Sequence, residues 1–353
     1  MWPLLPLLLI PVLVMLGFKL KNPDAFTARE FVVLELGMAF LLTAGFFLAR
    51  EAAMADTEVW SGRISKKASG TEHCCHCRNV CTSRDAKGNC RATRQDCTHV
   101  RDYWWRIYVN TGDSIDVQRC SGSSSAPAAW ENAYVGEPAA VEHSFRNYLK
   151  ADPESVLRQS AAVAKSAPPY PRVFGLYHIR RAANMGTKMD AVEWSKQLDE
   201  VLADLGHQRY VNINVIATRD PDPTYAEAVE RDWLYGKLND VTFVLGAPDG
   251  ETVTWAAVVT LPTGNESLRV AGRDALVGAS LTDPKGTIEK MVTVVKAGWR
   301  WRGVEDLKYL AAAAQPPTWA IVLLYAIGII GSVWGSAYMV DKDLFGENFS
   351  RHY

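Results

Sequence analysis

Residues 71 to 99 read TEHCCHCRNVCTSRDAKGNCRATRQDCTH. Six of the seven cysteines of the chain fall here: Cys74, Cys75, Cys77, Cys81, Cys90 and Cys97. His73, His76 and His99 lie among them, and Cys120 follows. Thiolates and imidazoles are the ligands that zinc selects. The spacings C-x-C, C-x3-C, C-x8-C and C-x6-C match no common zinc finger or ribbon. The alternative is a disulfide framework, which an oxidising compartment favours. Seven thiols then leave one over, and the adjacent Cys74 and Cys75 take different partners. In either case the cluster is expected to be structural, folding a loop too short and too polar to build its own core. The side of a membrane on which these thiols lie decides between disulfides and zinc.

Residues 1–18 and 317–340 carry no charge, and residues 31–49 carry only Glu35. Each stretch is close to the roughly 20 apolar residues that a helix needs to cross a bilayer. Three of them at the chain ends, around a soluble-looking middle, read as membrane spans rather than core helices. The first lacks a basic start and a small-x-small cleavage site, so it reads as a retained span, made imperfect by Pro3, Pro6 and Pro11. The loop KLKNPDAFTARE carries Lys19, Lys21 and Arg29, which places it in the cytoplasm. Residues 50–316 then lie outside, in the periplasm of a bacterial cell, and the protein is a multi-pass inner-membrane protein. Gly331 and Gly335 form a GxxxG pattern, with Gly328 and Ser332 as a second small pair. Packing within a three-helix bundle is favoured for them over a homo-oligomer interface. Glu35 is expected to snorkel to the membrane surface. A net charge of −1 with no long basic run gives no support to a nucleic-acid partner.

Between the spans the texture changes once. Residues 60–150 read as a small, mostly β, cysteine-rich module, with DYWWRIYVN as a strand. A short helix is expected within 151–170. From 171 helices and strands alternate. Helices are expected over 189–206, 224–236 and 283–298, and strands over 210–218, 241–246 and 252–261. The first helix places Val192, Trp194, Leu198, Val201, Leu202 and Leu205 at helical spacing and ends at Gly206. Such alternation predicts an α/β sandwich with a covered sheet over 171–315.

The run VNINVIATRDPDPTYAEAVERDWLYGKLNDVTFVLG carries Trp233, Gly236, Lys237, Asn239 and Asp240 as W-x-x-G-K-x-N-D before a hydrophobic strand. In this order it resembles the TPM-domain family. The resemblance implies a TPM-like α/β sandwich held outside the membrane beside a C-terminal anchor. It also implies an acidic cluster that binds calcium and, in some members, acid phosphatase activity. The matching positions are Asp220, Asp222, Asn239 and Asp240, which could supply part of the six to eight oxygens that Ca2+ takes. Capping and turn roles are the stronger reading of these four. The acidic residue usual before the first helix of the family is replaced by YHIRRAANMGTKMD. The whole chain also resembles membrane proteins of large tailed bacteriophages, which carry a similar cysteine segment and final helix. No P-loop, G-x-S-x-G or H-E-x-x-H is present. The expected function is therefore a membrane-anchored binding or scaffold protein with a protein or envelope partner. It would present an exposed aromatic patch, with Tyr103, Trp104 and Trp105 as candidates. The second reading is a metal-dependent, acid-phosphatase-like hydrolase.

Overall fold

The computed structural model describes residues 4–23, 26–85, 87–152, 165–261 and 264–342. They fall into two compact units: Met1–Thr57 with Ser144–Ala161 and Gly303–Tyr353, and Glu58–His143 with Ala162–Arg302. Most of the short helix expected within 151–170 lies outside the described residues, as do Pro3 and most of the C-terminal tail.

The first unit contains α1 (Leu4–Lys21), α2 (Ala28–Met54) and α8 (Thr318–Lys342), three helices long and apolar enough to cross a membrane. Thr27 starts α2 with a capping box: its hydroxyl accepts from the Glu30 amide, and Glu30 accepts from the Thr27 amide at 2.7 Å. Leu7, Met15, Met38, Leu42, Phe46 and Leu324 form the core of the bundle. The small residues of α8 face the other two helices. A Cβ at Gly335 would lie 2.8 Å from Leu34, at Gly331 3.1 Å from Met38, and at Gly328 3.2 Å from Pro11. The GxxxG face is thus occupied within the chain. Glu35 lies two turns into α2, half-buried, and its Oε2 has no hydrogen-bond partner among the described residues.

In the second unit, the cysteine segment is no loop. It forms the distal half of a β-ribbon between β1 (Ala55–Arg84) and β2 (Cys90–Val109), paired antiparallel from Ile64↔Val109 to Arg84↔Cys90. Asp85 closes the ribbon, its Oδ1 accepting from the Lys87 and Asn89 amides at 2.9 Å each. With β3 (Ser114–Ser121) and β4 (Pro138–Arg146) the sheet order is β3-β2-β1-β4. Its base is apolar, built on Ile64, Ile107, Val109, Ala139 and Tyr177. Beyond Cys74 nearly every side chain is exposed, so burial contributes little there. The short α3 (Ala128–Asn132) lies between β3 and β4, and a small hairpin pairs β5 (Val173–Phe174) with β6 (His178–Ile179).

The α/β part has sheet order β10-β9-β8-β7. Its strands are β7 (Ala182–Met185), β8 (Asn212–Thr218), β9 (Asp240–Gly246) and β10 (Trp255–Val259). The first three run parallel, and β10 is antiparallel to β9. Helices α4 (Ala191–Arg209), α6 (Glu266–Leu276) and α7 (Pro284–Gly298) cover one face with a core of Trp194, Leu198, Leu202, Phe243, Leu268 and Met291. Helix α5 (Tyr225–Asp232) covers the other, where Tyr225, Val229 and Trp233 meet Ile216, Val244 and Trp255. This is the covered α/β arrangement expected. Three details differ. α6 was not foreseen. α5 stops at Asp232 because Leu234, Tyr235 and Gly236 take left-handed conformations. Val192 is 73% exposed and not part of the core stripe.

The cysteine-rich and α/β segments, expected as separate domains, pack as one unit. Arg181, only 2% exposed, joins them. Its guanidinium donates to Asp199 at 2.6 Å, to Ser61 of β1 at 2.8 Å, and to Asn212 of β8. Asn239 adds a 2.7 Å bond to the Val59 carbonyl.

Candidate functional site

Three disulfides staple the ribbon: Cys74–Cys120, Cys77–Cys97 and Cys81–Cys90. Cys77 and Cys97 are direct cross-strand partners, and Cys74–Cys120 ties β1 to β3. Cys75 keeps an exposed thiol. The disulfide framework with one thiol over, and with Cys74 and Cys75 on different paths, is what the structure contains. A two-stranded ribbon with both faces in solvent is marginal alone, so covalent rungs supply what packing cannot. His76 bonds to Asp102, and His73 stands across from Arg101. His99 stands across from Cys75, its Nε2 3.8 Å from the thiol.

The four acidic and amide candidates are not brought together. Asp220 and Asp222 follow the C-terminal end of β8. Asn239 and Asp240 stand at the start of β9, where Asp240 pairs with Asn212 at the N-terminal end of β8. With β8 and β9 parallel, a seven-residue strand separates the two pairs, a distance of roughly 20 Å. Each pair has local work. Asp222 accepts from the Thr224 hydroxyl and amide, which hold its carboxyl down to about 2. Lys165 bonds to both Asp220 and Asp222. Asp240 is wholly buried and accepts from Tyr170 Oη at 2.6 Å, Asn212 Nδ2 at 2.7 Å and the Lys237 amide at 2.8 Å. Burial pushes its carboxyl above the ordinary range, against those three bonds. Trp233 donates to the Pro168 carbonyl, and at Gly236 (φ +88°) a Cβ would crowd Asp240 at 2.9 Å. In this chain the W-x-x-G-K-x-N-D signature therefore builds a turn and anchors the start of β9, the strand that follows it.

The expected aromatic patch lies elsewhere than on β2. Trp105 is core, and Tyr103 and Trp104 are half-buried, Trp104 lying against Gly70. Exposed apolar groups gather instead at a groove of about 360 Å³ between the β5–β6 hairpin, the start of β4 and the first turns of α4. Tyr134, Phe174 and Val192 rim it at 59%, 47% and 73% exposure. Glu137, Asp199 and Glu200 on its wall already have partners: Tyr177, Arg181 and Arg63. Arg180 and Lys196 have no carboxylate partner among the described residues. Arg180 lies 5.3 Å from the Phe174 ring. The rim residues are far apart in sequence. Only the exposed Val192, at the edge of the apolar stripe of α4, gives a local signal.

No protein-family profile matches this chain, no curated protein matches it, and no solved structure matches it. The TPM resemblance accordingly rests on the Trp233–Asp240 signature and the order of elements.

Proposed function

We propose that this chain is a membrane-anchored docking protein. Its unit of residues 58–143 and 162–302 stands on the outer side of an inner membrane and captures a protein segment in the groove beside α4. The observation that carries the reading is the groove itself: an aromatic and aliphatic rim beside two cations that lack carboxylate partners among the described residues. A segment with an apolar side chain next to an Asp or Glu complements both. Three disulfides fit an oxidising compartment, which supports the periplasmic orientation. Within this reading the α/β part is a TPM-like domain used for recognition, and the phage resemblance makes a host envelope protein the partner. The hydrolase reading gains no support, because the acidic pairs stand at opposite ends of parallel strands.

The test uses full-length protein in detergent. Peptides carrying Phe or Leu beside Asp or Glu are titrated by fluorescence anisotropy. The docking reading expects saturable binding that falls at least about fivefold in Phe174→Ala and in the double variant Arg180→Ala/Lys196→Ala. Binding that is absent, or indifferent to both changes, sinks it.

A further inference from the structure

The rungs Cys75↔His99 and Cys77↔Cys97 are successive on one face of the ribbon. Residues i and i+2 of each strand share that face, and directly opposed residues share it too. Three sulfurs are thereby gathered from two strands, and the His99 imidazole stands beside one of them, Cys75. The sulfurs of Cys75, Cys77 and Cys97 all lie within 4.8 Å of one another. Cys75 Sγ is 3.3 Å from Cys77 Sγ and 3.8 Å from His99 Nε2. A tetrahedral Zn2+ with Zn–S near 2.3 Å and Zn–N near 2.0 Å places its ligand atoms about 3.5–3.8 Å apart. The Cys75–His99 separation falls in that range, and the Cys75–Cys77 separation is shorter than it. The remaining obstacle is the Cys77–Cys97 bond, since a disulfide sulfur is not a thiolate ligand. The next rung on the same face is His73↔Arg101. It places a guanidinium beside a centre that would carry one net negative charge.

We infer that Cys75, Cys77, Cys97 and His99 form a redox-gated Cys3His site for a soft divalent cation, zinc above all, closed in the oxidised protein and opened by a dithiol reductant. The steps balance. The dithiol gives two electrons and two protons to the Cys77–Cys97 bond, becoming a disulfide itself and leaving two thiols. Zn2+ then displaces three protons from Cys75, Cys77 and Cys97, and neutral His99 supplies its Nε2 lone pair. The other cysteines are excluded on geometry. Cys81–Cys90 lies beyond the Asn79↔Gln95 rung, and Cys74–Cys120 joins the ribbon to β3 beside Glu72, which is held by Arg119. This inference is independent of the docking groove.

Full-length protein in detergent is treated with a dithiol, freed of it anaerobically and titrated with Co2+. The expected result is one equivalent bound, with the visible bands of a tetrahedral thiolate centre, bleached by Zn2+. The untreated protein shows no such bands. Cys75→Ser and His99→Ala should weaken binding by more than the roughly 10–100-fold that loss of an outer-shell partner costs. The double variant Cys81→Ser/Cys90→Ser should bind as the parent does. Because reduction could unfold the ribbon, alkylation with peptide mass mapping supplies the second reading. Zn2+ should protect Cys75, Cys77 and Cys97 together while Cys81 and Cys90 react. No cobalt bands after reduction, equal binding in Cys75→Ser, a loss in His73→Ala in place of His99→Ala, or protection of a different trio overturns the inference.

Discussion

Asp240 shows how a residue singled out for chemistry can be fully used by structure. Its two oxygens serve three donors in a buried turn, so Asp240→Ala withdraws the acceptor from all three. At about 1–3 kcal/mol for each buried donor left without its bond, the expected loss is about 3 kcal/mol or more. A fall in thermal midpoint measured on the detergent-solubilised protein checks this. The carboxyl also has a pH signature. Its value in the folded protein is raised by burial. Its contribution is thus fully present below the ordinary carboxylate range and is lost as pH rises through the raised value. Midpoints of parent and Asp240→Asn compared from mildly acidic to mildly alkaline pH should show a shallower slope in the variant. An unchanged slope would mean that Asp240 titrates normally. The capping and turn reading of Asp220 and Asp222 was legible in the sequence because Asp beside Pro has local uses, and that of Asp240 because Asn-Asp follows a Gly-containing turn. Arg181 was not. Nothing in YHIRRAANMG marks which arginine is buried, since its partners come from β1, α4 and β8.

Elements were legible where their period was strong. The three apolar helices, α4, α7 and the strands β8 and β9 follow from apolar spacing alone. α6 was hidden by Gly272 in its middle, a helix-weakening residue that the packing demands: a Cβ there would lie 2.5 Å from Val258. The ribbon was hidden because both faces of its distal half are polar, so no alternation marks it as a strand. Its long-range pairing, not its local composition, makes it β. The three long apolar helices give a prediction at this scale. Gly331→Leu and Gly335→Leu force side chains into Met38 and Leu34 and should each cost about 1–3 kcal/mol of bundle stability. Gly37→Leu, with no atom within 4 Å of its added Cβ, is the control and should melt as the parent does. Equal midpoints in all three would remove α8 packing as the role of the small residues.

At the scale of the whole molecule, the orientation in the membrane decides what the disulfides and the groove can meet. Cys75 is exposed and is the one cysteine outside a disulfide, so it reports sidedness without engineering. A membrane-impermeant maleimide applied to intact spheroplasts should label it, and Cys75→Ser should abolish the label. Labelling only after lysis would place the ribbon in the cytoplasm and withdraw the periplasmic docking reading.

The sequence by itself determined that helices long and apolar enough for a membrane flank an α/β segment and a cysteine-rich one. Length, hydropathy and periodicity are local properties, and each stretch carries its own. Tertiary structure alone decided which cysteines join, because cross-strand register sets the partners of Cys77 and Cys74. It also decided that Asp220 and Asp240 lie apart, because parallel strands put the end of one and the start of the next at opposite edges of the sheet. The groove follows the same rule. Tyr134, Phe174 and Val192 are neighbours only after the hairpin, the loop before β4 and the first turn of α4 have packed together.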